Sequence, residues 1–123
     1  MNSAHKELNG ATVLLAEDDA FVASEFAAQL NKAGAKVAGP VATVSQALDA
    51  LESADIDVAV IDFMLEDSNS TALQTALDSK QVPFVVITGY PRVLVRRDAC
   101  QAVLHKPVSP DELCSAVRAV LAA

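Results

Sequence analysis

Five short runs of aliphatic residues punctuate the chain: "ATVLLA" (Ala11 to Ala16), "AKVAG" (Ala35 to Gly39), "IDVAVID" (Ile56 to Asp62), "VPFVVIT" (Val82 to Thr88) and "AVLHK" (Ala102 to Lys106). Near-continuous apolar runs of this length are expected of strands buried on both faces, as in a parallel sheet. Between them the spacing changes to the helical period. "DAFVASEFAAQLNKAG" places Phe21, Phe26 and Leu30 near one face and ends at Gly34. "TVSQALDALES" begins with Thr43 and Gln46 at the offset of a capping box and carries Val44, Leu48 and Leu51 as its stripe. "SNSTALQTALDSK" predicts a modest helix, and "YPRVLVRRDAC" a weaker one because of its β-branched content. The last segment, "SPDELCSAVRAVLAA", has Ser109 as N-cap, Pro110 at the first helical position and Glu112 at the third. Its stripe is Leu113, Val117, Val120 and Leu121.

Strand and helix patterns alternate five times, which predicts a doubly wound (βα)5 α/β fold: a flavodoxin-like three-layer sandwich around a parallel five-stranded sheet in the order 2-1-3-4-5. A chain of 123 residues has room for one such domain. The expected division is a polar N-terminal tail over 1–9 and a domain over 10–123, with no repeat, linker or low-complexity segment.

Composition narrows the function classes. The formal charge of −7 argues against nucleic acid as a partner, because phosphate backbones are bound by clustered Lys and Arg. Solubility alone is a sufficient reason for the acidity. Cys100 and Cys114 form neither a CxxC pair nor a disulfide framework, and read as small packing residues. "MNSAHKELNG" does not resemble a signal peptide, and no apolar run approaches the roughly 20 residues that span a bilayer. A cytoplasmic protein with no membrane association is the expectation.

The polar residues gather at one end of the predicted strands. The first strand ends in Glu17, Asp18 and Asp19, the third in Asp62, the fourth in Thr88, and the fifth in Lys106 followed by Pro107. Ligands of doubly wound sheets bind at the carboxyl ends of the strands, so these ends belong together. With strands one and three as neighbours, Asp62 lies beside Glu17 and Asp18. Each like-charged pair at roughly 5 Å costs about 3 kcal/mol at an effective dielectric near 20. Three such carboxylates must take up protons or hold a cation, and an all-oxygen set with room for water suits Mg²⁺. Lys106 and Thr88 bring a compact cation and a hydroxyl donor, the groups needed to hold a phosphoryl group on Asp62. Asp19 has an ordinary alternative role as helix cap. His105 is expected to point away from Lys106 by strand alternation. Arg92, Arg96 and Arg97 form a basic cluster in an acidic chain and read as a solvated face.

In this order and at these strand ends, the residues resemble the receiver domain of two-component response regulators, over nearly the whole chain. The resemblance implies that Asp62 is the phosphoacceptor. It also implies that Glu17 and Asp18 are the acidic pair, that Asp18 is a direct Mg²⁺ ligand, and that Met64 lends its backbone carbonyl to the metal. Thr88 matches the hydroxyl switch residue and Lys106 the phosphate-binding lysine, with Lys106–Pro107 often cis in such proteins. "PFVVITGY" (Pro83 to Tyr90) is similar to the signature of the FAT GUY subclass, many of whose members are single-domain proteins. Three positions depart from the pattern. Val103 stands where an aromatic switch residue is usual, with Tyr90 as the substitute aromatic. The loop "LEDSNS" has Glu66 for the usual proline and Ser70 for the usual glycine.

The resemblance implies a phosphoacceptor signalling protein rather than an enzyme. Its phosphodonor is a histidine kinase or phosphotransfer protein, its output is contact with a further protein, and its expected state is a monomer or weak dimer. A phosphate sink and a degenerate, phosphorylation-independent binding module are the alternatives. A phosphatase of the DxD type is disfavoured by Met64 at the general-acid position. A flavodoxin is disfavoured by "AEDDA", which repels phosphate unless a metal intervenes.

Overall fold

The computed structural model describes residues 8–89 and 101–122. The chain runs β1 (Thr12–Ala16), α1 (Ala20–Lys32), β2 (Lys36–Val41), α2 (Val44–Ser53), β3 (Val58–Asp62), α3 (Thr71–Ser79), β4 (Phe84–Thr88), β5 (Gln101–His105) and α4 (Pro110–Ala122). The strands form one parallel sheet in the order β2-β1-β3-β4-β5. The predicted weak helix over 90–100 lies outside the described residues, and with it Tyr90, Arg92, Arg96, Arg97 and Cys100.

Strand alternation divides the core between two faces. Val13, Leu15, Val58, Val60, Val85 and Ile87 face α1 and α4, where they meet Phe26, Leu30, Leu113 and Val117. Leu14, Ala16, Ala59, Ile61, Phe84 and Val86 face α2 and α3, where they meet Val44, Leu51, Leu73 and Leu77. All five residues of β3 and all five of β4 are buried, as strands covered on both faces must be.

The predicted caps form. Asp19 Oδ1 accepts from the backbone N–H of Phe21 and Val22 at 3.0 and 3.1 Å. Ser109 Oγ accepts from the N–H of Glu112 at 3.1 Å. Thr43 Oγ1 accepts from Gln46 N–H, while Gln46 Oε1 reaches back to the N–H of Ala42, one residue before the partner a capping box would use. Cys114 packs in the core as expected.

Three local readings change. Phe21 is 70% exposed, and the buried stripe of α1 is Ala23, Phe26 and Leu30. Five residues of helix rotate Phe21 about 140° from Phe26, away from the sheet. Leu8, which falls within the expected tail over 1–9, is instead 2% exposed in the α1–α4 core, and its N–H donates to Ala33 O. Finally, β2 continues past Gly39 and Pro40 to Val41. It pairs only with β1, and on an edge strand the N–H that proline lacks is not missed. Gly39 is needed there, because at φ +113 an added Cβ would stand 2.8 Å from Leu15 O.

Candidate functional site

The register carries the polar strand ends to one edge. Ala16 pairs with Ile61, so the next residues, Glu17 and Asp62, stand side by side. Asp62 pairs with Ile87 and Thr88 with His105, which brings the residue after β5, Lys106, to the same rim. Glu17, Asp62 and Lys106 share the parity of the α1–α4 face, whereas Thr88 has the parity of the opposite face. The backbone locks this edge: Glu17 N–H donates to Val41 O at 2.9 Å, Phe63 N–H to Ile87 O at 2.8 Å, and Lys106 N–H to Thr88 O at 2.8 Å.

Carboxylate oxygens of Glu17, Asp18 and Asp62 lie within 4.8 Å of one another. Glu17 and Asp62 are buried, at 3% and 2% exposure, while Asp18 is open to solvent. Glu17 Oε2 accepts from Asp19 N–H at 3.0 Å, and Lys106 Nζ lies 3.4 Å from Asp62 Oδ2. The other oxygens, Glu17 Oε1 and Asp62 Oδ1, are buried without a protein partner. A buried carboxylate oxygen without a donor is costly, and a hard cation is the partner that satisfies two of them at once.

The electrostatics follow from this crowding. Burial first, and then the Glu17 carboxyl beside it, push Asp62 up to about 8, against the pull of Lys106. For Lys106, partial burial works against its charge. The attraction of Asp62 and Glu17 outweighs it and raises the ammonium above the ordinary lysine value. Thr88 is 2% exposed at the end of β4. His105 is exposed. Lys106–Pro107 is cis. Beside the carboxylates, Glu17, Val22, Phe26, Ile87, Lys106 and Val108 line an open recess of about 450 Å³.

The loop between β3 and α3, with Glu66 and Ser70 in place of the proline and glycine of the receiver pattern it resembles, is held by its own connections. Leu65 is buried and its N–H donates to Ser68 O, Met64 pairs with Asn69, and Ser70 N–H donates to Phe63 O at 2.7 Å. Ser70 sits at φ −91, an ordinary value, so no glycine is required, and its Oγ accepts from the buried Gln74 Nε2 at 3.2 Å. Asp67 has a role that sequence reasoning did not assign. Its two oxygens accept from the N–H groups of Val44 and Ser45, at 2.7 and 3.2 Å.

A family model of the response regulator receiver domain matches residues 13–118. The chain belongs to that family. Among solved structures, the receiver is similar to a response regulator receiver protein from Sinorhizobium medicae WSM419 (28% identity, 94% of this chain and 98% of that one, TM-score 0.79). It is also similar to SdrG from Sphingomonas melonis Fr1 (30% identity, all of both chains, TM-score 0.70). A CheY-like receiver domain protein from Methanospirillum hungatei JF-1, at 23% identity over 91% of this chain and 94% of that one, shares the fold with a TM-score of 0.79. A search of curated proteins gave no match. No helix among the described residues is long and apolar enough to cross a membrane.

Proposed function

We propose that this receiver accepts a phosphoryl group on Asp62 from a phosphohistidine of a histidine kinase or phosphotransfer protein, and signals by binding another protein according to its phosphorylation state. The observation that carries this reading is the buried Asp62 carboxylate, 3.4 Å from Lys106 Nζ and within 4.8 Å of the Glu17 and Asp18 oxygens. In the transfer, an Asp62 oxygen forms a bond to phosphorus as the phosphorus–nitrogen bond breaks, and the electron pair returns to the imidazole. Catalysis on this reading is positioning and charge neutralisation, which the Lys106 ammonium beside Asp62 supports.

Glu17, Asp18, Asp62 and the Met64 carbonyl are the oxygens that would hold Mg²⁺. The ion would supply the positive charge that lets an anionic phosphoryl group approach the three carboxylates. Lys106 neutralises a phosphoryl oxygen from the opposite side of Asp62, and the Thr88 hydroxyl donates to another. Asp62 is held at the end of a fully buried strand and accepts no backbone N–H at Oδ1, so that oxygen remains available as nucleophile or ligand. Thr88 is the switch residue on this reading, with Tyr90 in place of the aromatic that Val103 replaces.

Incubation with Mg²⁺ and a small acyl phosphate, followed by intact mass measurement, tests the proposal. One phosphoryl adduct is expected on the parent and none on Asp62→Asn. A parent that remains unmodified in the presence of both Mg²⁺ and a phosphorylated kinase contradicts it.

A further inference from the structure

Asp67 is the loop's anchor to a second element. The first turn of α2 leaves N–H groups that no helical carbonyl satisfies. Thr43 Oγ1 takes the N–H of Gln46, and the N–H groups of Val44 and Ser45 go to Asp67, 23 and 22 residues away. These N–H groups hold the Asp67 carboxyl below the usual carboxylate range, as a charge at a helix N-terminus should be. Next to this contact, Glu66 N–H donates to Ala42 O at 3.1 Å. Val41 O, one residue earlier, accepts Glu17 N–H at 2.9 Å. The short segment 41–45 therefore holds both walls of the acidic pocket, the end of β1 through Val41 and the loop after Asp62 through Ala42, Val44 and Ser45.

Without Asp67, the polar tip of that second wall, beyond the buried Leu65, would be tied to segment 41–45 only through the Glu66–Ala42 backbone bond. Glu66 replaces the proline that usually stiffens this position. We propose that Asp67 is a positioning residue for phosphoryl acceptance: by bridging the β3–α3 loop to the N-terminus of α2, it holds in place the loop that carries Met64, whose carbonyl is among the oxygens proposed to hold Mg²⁺. The inference rests on Asp62 as phosphoacceptor and Mg²⁺ as its cation. It adds a residue that touches neither the metal nor the phosphoryl group. Groups hydrogen-bonded to metal ligands are worth about 10- to 100-fold in metal affinity when removed, and Asp67, acting through the loop, stands at the lower end of that range.

The test compares Asp67→Ala and Thr43→Ala with the parent. Both substitutions remove acceptors from the first turn of α2, but only the first detaches the loop. Three quantities are measured: thermal stability, Mg²⁺ affinity by titration of amide NMR spectra, and the Mg²⁺-dependent rate of modification by an acyl phosphate. Asp67→Ala is expected to weaken Mg²⁺ binding and slow modification about 10-fold or more. Thr43→Ala is expected to lose stability while both site quantities stay within about twofold of the parent, and Asp67→Asn, which keeps an acceptor oxygen, to recover part of the loss. Equal Mg²⁺ affinity and rate in Asp67→Ala and a functioning parent overturn the inference alone, as does an equal loss in Thr43→Ala. A parent that neither binds Mg²⁺ nor becomes modified overturns the phosphoacceptor reading, and this inference with it.

Discussion

Asp62→Asn should stabilise the metal-free protein, and the gain should depend on pH. In the folded chain the Asp62 carboxyl holds its proton to about 8, whereas its ordinary value is 3.8. Between those two values the folded state binds more protons than the unfolded state, so stability falls as pH rises from about 4 to about 8, and flattens above. At about 1.4 kcal/mol per pH unit the ceiling of that loss is about 6 kcal/mol. Asp18 and Lys106 open the pocket to solvent, and screening through them leaves about half, roughly 3 kcal/mol at pH 8. Asparagine keeps the shape of the protonated acid and carries no charge, so the variant escapes this loss. Thermal unfolding in EDTA should show Asp62→Asn melting roughly 10 °C above the parent at pH 8. The two curves should converge near pH 4, and millimolar Mg²⁺ should narrow the gap at pH 8 by stabilising the parent alone. A gap that is absent at pH 8, or equally large at pH 4, refutes the assignment of the strain to a crowded Asp62.

Three further outcomes follow from particular contacts. Lys106→Met removes the cation 3.4 Å from Asp62 and should slow modification by an acyl phosphate about 100-fold, read by timed intact mass measurement; a rate within threefold of the parent contradicts its charge-neutralising role. Asp19→Ala strips the acceptor from Phe21 and Val22 N–H and should cost about 1 kcal/mol in urea unfolding, whereas an unchanged midpoint would mean that water replaces the cap at no cost. Leu77→Ala empties a fully buried position between α3 and the sheet, and should cost about 2–5 kcal/mol without lowering the modification rate well below the melting temperature.

The strands were legible in the sequence because burial on both faces leaves little but aliphatic residues, as in "VAVID" and "FVVIT". The acidic cluster was legible for the same topological reason: once β1 and β3 are neighbours, Glu17 and Asp62 must meet. Edges and rotations were harder to read. β2 looked finished at Gly39, because glycine and proline ordinarily end a run, yet an edge strand tolerates both. Phe21 lies near the spacing of Phe26 and Leu30 but off the helical period, and the packing of Ala23, Phe26 and Leu30 makes that offset decisive. Asp67 was the least legible. Its partners lie more than 20 residues away, and nothing local distinguishes an acid that caps a distant helix from one that is merely solvated. The Ser70 substitution is explained only by its backbone angles and by Gln74, which meets it one turn further along α3.

The central claim is that Asp62, and no other residue, takes the phosphoryl group. Borohydride reduction of the modified protein, which converts an aspartyl phosphate to homoserine, followed by peptide mass mapping, tests it most directly. Homoserine at position 62, dependent on Mg²⁺, is the expected result. A label that resists reduction, or that maps to Asp18, Ser70 or His105 while Asp62 remains unchanged, would contradict it.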